Sequence, residues 1–83
     1  MKQEKLTELL EFLVKSLVDK PDEVTVDQYC TGNTVHLELQ VDPEDIGRVI
    51  GKHGRVANSL RTLLKVVAAR NGMQVAMDVV DVN

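Results

Sequence analysis

The chain has 83 residues, 43% apolar and 28% charged, with a formal net charge of -3. That is room for a single domain with a modest core, and the balance excludes a disordered chain. One cysteine, Cys30, excludes an internal disulfide and points to a reducing cytosol, and with only His36 and His53 beside it no zinc ligand set forms, so no metal or other cofactor is expected.

Residues 3–19 have the spacing of an amphipathic helix, with Leu6, Leu9, Leu10, Leu13, Val14 and Leu17 recurring on one side. Glu4 and Glu8 fall in the early turns, where the helix dipole favours acid, and Pro21 stops the helix. Phe12 falls off the stripe, and is either an incidental exposed aromatic or a partner contact. Charges recur throughout the first 20 residues, so they offer no signal-peptide core. No apolar run nears the roughly 18 residues of a membrane span.

Residues 24–30 and 34–41 read as two strands. In the second, Val35, Leu37, Leu39 and Val41 alternate with His36, Glu38 and Gln40, the period-two pattern of a strand buried on one face. His36 is expected to face solvent and Cys30 to be a small apolar filler. Between the strands, Thr31-Gly32-Asn33 supplies the residues of a tight hairpin. Asp42-Pro43-Glu44-Asp45 then reads as a helix start, with Asp42 as N-cap and Pro43 in the first position. This short helix ends at Gly51. A longer one runs from Arg55 to Arg70, with Val56, Leu60, Leu63, Leu64 and Val67 as its buried stripe and Gly72 as its left-handed cap. Val75, Met77 and Val79 alternate with polar or small residues in a last strand, 73–80. The second and third strands are expected to be parallel neighbours, because the helices between them form a crossover. The order α-β-β-α-α-β predicts an α+β two-layer sandwich, with helices on one face of a three-stranded mixed sheet.

Charge is segregated along this order. Residues 46–71 hold six basic residues and no acid, +6, while the rest of the chain carries -9. Within the basic segment, Val49-Ile50-Gly51-Lys52-His53-Gly54 joins two helices. Glycines admit the close approach of another backbone, a helix start presents free N–H groups, and Lys52, His53 and Arg55 add donors and charge. Val49, Ile50 and Ala57 could supply an apolar floor for bases. The combination suits a phosphate backbone. A nucleotide-hydrolysing P-loop is rejected, because three residues separate Gly47 from Gly51, His53 follows Lys52, and a helix precedes. A DNA-binding helix-turn-helix has a similar outline but belongs to all-helical domains. A ligand-free glycine corner and a merely solvated basic face are the remaining structural alternatives. No nucleophile–base pair is evident at workable spacing, so an enzyme is not expected.

With that signature and element order, the whole chain resembles a KH RNA-binding domain of type II. The stretch DPEDIGRVIGKHGRVANSLRTLL, residues 42–64, is similar to the bacterial stand-alone single-KH proteins of the KhpA (YlqC-like) family. The resemblance implies one KH domain over 1–83, divided into helix and hairpin 3–41, helix–glycine loop–helix 43–71 and last strand 73–80. It implies a groove for about four single-stranded nucleotides, clamped by the glycine loop. On matching positions, Gly51, Lys52, His53 and Gly54 are the clamp, and Ile46, Gly47, Ile50, Arg55 and Ala57 line the groove. Arg48 and Arg61 are peripheral phosphate contacts. Many KH domains carry a bulkier aliphatic residue where this chain has Ala57, which makes the floor shallower. The resemblance also implies a cytoplasmic RNA chaperone or post-transcriptional regulator linked to cell-wall homeostasis and cell shape. Its implied partners are single-stranded RNA, a second copy, and a KhpB/Jag-like KH protein, with no membrane contact.

Overall fold

The period-two run becomes the middle strand of the sheet. A computed structural model describes the backbone of residues 2–80 and the side chains of residues 5–80. Its elements are α1 (Lys2–Lys15), β1 (Thr25–Thr31), β2 (Thr34–Gln40), α2 (Ile46–Ile50), α3 (Arg55–Arg70) and β3 (Gln74–Val79). Short 3-10 turns cover Pro21–Glu23, Pro43–Asp45 and Lys52–Gly54. The strand order is β1-β2-β3, with β1 antiparallel and β3 parallel to β2. The chain thus has the expected α+β architecture, including the parallel β2–β3 pair.

Val35, Leu37 and Leu39 of β2 are buried, and their register partners Val26, Val75, Met77 and Val79 share that face. Leu6, Leu10 and Val14 of α1, Val49 of α2, and Leu60, Leu64 and Ala68 of α3 close the core against it. Four-residue spacing puts each set on one helix face. The other face of the sheet carries no helix. There Asp27, Glu38 and Asp78 align in one cross-strand row, and the Tyr29 ring stacks on His36 with centroids 4.6 Å apart.

The turns follow from their residues. Thr31 pairs with Thr34, leaving Gly32 and Asn33 as a two-residue loop, and Gly32 takes φ +62. At the end of α3, Gly72 has φ +70, its N–H donates to the Ala69 carbonyl, and the Met73 N–H donates to the Ala68 carbonyl. This Schellman arrangement satisfies carbonyls the helix would otherwise leave bare.

Several expectations need correction. The first helix ends at Lys15, not at residue 19, and Leu17 lies beyond it, 43% exposed. The Leu17 N–H turns to the Val14 carbonyl, and the N–H groups of Asp19 and Lys20 both donate to the carboxylate of Asp45 at 3.1 Å. Those amides are therefore not available to continue α1. Leu63 is half exposed rather than buried, while Ala57 and Ala68 fill the buried stripe of α3. Cys30 is exposed rather than a filler, because β1 is an edge strand whose hairpin end is thinly covered. His36 is only partly exposed, beneath the Tyr29 ring. The Glu4 side chain lies outside the described residues.

Candidate nucleic-acid interface

The basic corner is built by backbone constraint. After α2, Gly51 adopts φ +76 and ψ 172, a region open essentially to glycine alone. A Cβ there would stand 2.4 Å from Val56 Cγ2 and 2.9 Å from the Val56 backbone nitrogen. Gly51 therefore lets α3 fold back tightly on α2. The next turn closes through the Gly54 N–H to the Gly51 carbonyl, 3.1 Å, and the Arg55 N–H to the Lys52 carbonyl. His53 takes φ +59, the one positive φ outside glycine among the described residues. Such a conformation costs a non-glycine residue about 1 kcal/mol or more and persists where surrounding structure imposes it. Gly54, at φ +74, completes the turn as N-cap of α3.

The start of α3 is left open. Gly54 contributes no capping side chain, and no acid lies in the first turn. The Arg55 N–H is taken by the Lys52 carbonyl, but no side chain caps the amides that follow, and the positive end of the helix dipole lies at this corner. Lys52, His53 and Arg55 are exposed beside them and form no ion pair among the described residues. Backbone donors, dipole and uncompensated cations converge on one corner, the physical recipe for a phosphate seat.

The other anticipated residues divide. Gly47 lies exposed on α2 with nothing within 4 Å of where a Cβ would point, so it leaves a flat approach to the corner. Ile50 is 38% exposed next to it, and Ile46 is half-buried against the core. Ala57 is 4% exposed and Val49 is fully buried, so Ile50, not Val49, offers the apolar contact surface. Arg48 is engaged internally, with Nη2 2.8 Å from Asp19 and Nε 3.3 Å from Asp45. Its charge is balanced at home, unlike that of Lys52 or Arg55. Arg61 lies about two helical turns beyond the corner. Its Nε donates to the Met77 carbonyl at 3.0 Å and its Nη1 to Asn58 Oδ1 at 3.1 Å.

Sequence reasoning missed Asp45. Its carboxylate is 2% exposed and accepts from the Asp19 and Lys20 amides while meeting Arg48, fixing the segment after α1 to the start of α2. In the sequence it looks like one more acid of a helix first turn. Only the tertiary approach of residues 19–20 distinguishes it. Among the described residues no group of His, Cys, Asp and Glu could hold a metal ion, and no helix is long and apolar enough to cross a membrane.

Comparison with known proteins places this geometry in a family. The chain is 43% identical over 75 residues to RNA-binding protein KhpA of Clostridium perfringens, covering 90% of this chain and 100% of that protein. It is 45% identical over 74 residues to RNA-binding protein KhpA of Borreliella burgdorferi, covering 89% and 90%. For the protein of that name from Chlamydia trachomatis the identity is 42% over 76 residues, covering 92% and 97%. No solved structure matches the chain. A family model, KhpA/KhpB, KH domain, matches residues 7–79, a span that takes in the sheet, the glycine corner and both helices around it, and the chain therefore belongs to the KhpA/KhpB KH-domain family.

Proposed function

We propose that the chain is a non-catalytic binding module for single-stranded RNA, clamping the phosphate backbone at Gly51, Lys52, His53 and Gly54. One observation carries the reading: the start of α3 has no capping side chain and lies beside cations that form no ion pair among the described residues. Gly47, Ile50 and Arg55 extend the seat on either side, with Ile46 and Ala57 supporting it from below. Arg48 and Arg61 contribute to the surrounding field. The names of the relatives, which cover nearly the same length, support RNA as the ligand. A clamp of this size touches few phosphates, so binding is expected to be weak and salt-dependent. The test is titration of a short unstructured RNA by the parent and by Lys52→Asp/His53→Asp. Turning Lys52 into an acid and adding a second acid in place of His53 sets two negative charges against the phosphates and should lower affinity about a hundredfold at low salt. An unchanged affinity in a folded double variant removes the clamp assignment.

The finer reading is a cytoplasmic RNA chaperone or post-transcriptional regulator that works as a dimer or with a KhpB/Jag-like KH protein, in the service of cell-wall homeostasis and cell shape. Family membership supports it, and pairing two weak clamps raises avidity through effective concentration. A second reading, in which the fold serves chiefly as an assembly adaptor and the partner binds most of the RNA, is favoured by an apolar surface. Leu13, Leu17, Val56, Leu60 and Leu63 line a concavity of about 390 Å³ between the end of α1 and α3. Leu17 and Leu63 are 43% and 50% exposed there. Sedimentation of the parent and of Leu63→Glu tests it, with a dimer expected for the parent and a folded monomer for the variant. A parent that stays monomeric and binds RNA at full strength alone excludes the adaptor role.

A further inference from the structure

We infer that the free edge of β1 is a docking site for an extended, arginine- or lysine-bearing segment of a protein partner, which joins the three-stranded sheet as a further strand beside Asp27 and Tyr29. The site goes beyond the RNA reading and uses the edge of the sheet opposite β3.

The strand order leaves two edges, β1 and β3. At β3 the Met77 carbonyl accepts from Arg61 Nε. At β1 the main chain is open. The Asn33 and Leu39 carbonyls accept from β3, so odd-numbered groups of β2 face β3 and even-numbered ones face β1. The register partners of those even-numbered residues are Thr25, Asp27, Tyr29 and Thr31, and the main-chain groups of Val26 and Gln28 therefore turn outward. No backbone hydrogen bond reaches them among the described residues. The Thr7 hydroxyl donates to Gln28 Oε1 at 2.6 Å and holds that side chain back toward α1. Natural sheets blunt an edge with proline, lysine or a bulge. Thr25–Thr31 contains no proline and no lysine, and it pairs with β2 residue by residue without a break.

The side chains along this edge select the chemistry of the added strand. Tyr29 and His36 are cross-strand partners whose rings lie 6° from parallel and 4.6 Å apart, close to the spacing of the strands themselves. The stack therefore runs along the sheet, and the second face of the Tyr29 ring looks out over the free edge. Tyr29 is 52% exposed. Asp27 lies on the same face, exposed and in no ion pair among the described residues, and Glu38 and Asp78 continue its row across the sheet. Like charges directly opposite one another are destabilising, and no lysine or arginine of β1, β2 or β3 relieves them. A strand laid along β1 places alternate side chains beside Tyr29 and beside Asp27. A cation suits both places, over the open ring face and against the carboxylate. Outward main-chain groups call for a peptide strand, and the carboxylate row calls for a basic one. A phosphate backbone would be repelled by the same row.

The experiment uses the full chain and, as probe, a capped heptapeptide of alternating valine and arginine, with a valine–glutamate heptapeptide as its counterpart. Affinity and amide hydrogen exchange are both measured. Saturation with the arginine peptide should slow exchange of the Val26 and Gln28 amides at least about tenfold, as new ladder hydrogen bonds require. The glutamate peptide should protect neither. Asp27→Lys should weaken the arginine peptide about fivefold and Tyr29→Thr about threefold, the scale of one reversed cross-strand ion pair and one exposed cation–π contact. Both residues are exposed, so both variants should fold. Lys52→Asp/His53→Asp should still show the same amide protection, because the clamp is not part of this edge. Failure of the arginine peptide to bind, or binding that leaves Val26 and Gln28 unprotected, overturns the docking edge. So does equal binding of the glutamate peptide, an Asp27→Lys variant that binds like the parent, or protection of these amides by a short RNA instead of the peptide. Each of these results leaves the clamp to its own RNA titration.

Discussion

The approach to α2 is crowded with the chain's own carboxylates, whereas the approach to α3 has none. Before α2, Asp42 caps the turn by accepting from the Glu44 N–H at 2.9 Å, and Asp45 receives the amides of Asp19 and Lys20. Before α3, Gly54 offers no side chain, and the neighbours are Lys52, His53 and Arg55. Every helix start presents unsatisfied N–H groups and a positive dipole end. Before α2 the Glu44 N–H is met by Asp42 and the Ile46 N–H by the Pro43 carbonyl, while Asp45 caps no α2 amide and instead ties residues 19 and 20 to this end of the helix. Before α3 there is no carboxylate at all, and the side chains beside the helix start are basic. The difference also explains why arginines in one basic segment have different fates. Arg48 lies against Asp19 and Asp45, while Arg55, a few residues later, forms no ion pair among the described residues.

The largest effect is expected from breaking the open end at its hinge. In Gly51→Ala the new Cβ would overlap Val56, including its backbone nitrogen, in a conformation only glycine adopts comfortably. Strain of about 1–3 kcal/mol from the backbone alone, with the clash added, should bring the loss of stability to about 3 kcal/mol or more. For a domain of this size that lowers the melting temperature by more than about 10 °C. Gly54→Ala is the control. Its Cβ meets nothing closer than 3.9 Å, so the cost is limited to the positive φ, about 1 kcal/mol. Thermal melts of the two variants that coincide would show that the corner does not depend on the close approach of Val56.

A smaller effect is expected at the closed end. Asp45→Asn keeps the shape but replaces one acceptor with an N–H₂ facing other donors. Losing a charge-assisted hydrogen bond in a buried site should cost about 2 kcal/mol, read as a melting temperature lower by about 10 °C. RNA affinity measured well below the melt should be unchanged, because the buried Asp45 carboxylate is bonded to the Asp19 and Lys20 amides and to no residue of the Gly51–Gly54 corner. A variant that melts like the parent, or one that is stable but loses RNA, would mean the two helix starts are not separate devices.

The sequence made the repeating features legible and left the long-range ones hidden. The alternation of Val35, Leu37 and Leu39 predicts the buried face of β2, and Asn71-Gly72 marks the end of α3, because both signals lie within a few neighbouring residues. The positive corner was visible as an acid-free run around paired glycines. Leu17 fits the helical spacing of α1 but sits outside it, since the amides that would continue the helix belong to Asp45, more than 20 residues away. Leu63 fits the stripe of α3 yet stays half exposed, because α1 has ended where it could have been covered. Val49 and Ile50 look equivalent in the chain, but the tight fold at Gly51 buries the first and leaves the second at the surface. No local pattern encodes which arginine will find an acid.

The smallest expected effect concerns Lys20, which lies on the carboxylate side of the comparison. Its Nζ is 3.2 Å from Glu44 and 3.6 Å from Asp42. The hydrogen bond to Glu44, then the charge of Asp42, raise its pKa above the ordinary 10.5. Because the folded value is raised, the pair's stabilisation is fully present below pH 10.5 and is lost as pH rises through the higher folded value. The ammonium is exposed, so solvent and salt screen most of the attraction. The expected result is a slight fall in melting temperature above pH 10.5 that is missing in Lys20→Met, with identical behaviour of the two proteins between pH 7 and 9. Lys52 forms no ion pair among the described residues, and Lys52→Met is the control. A matching change in both variants would show that the slope comes from net charge and not from the carboxylates that close the start of α2.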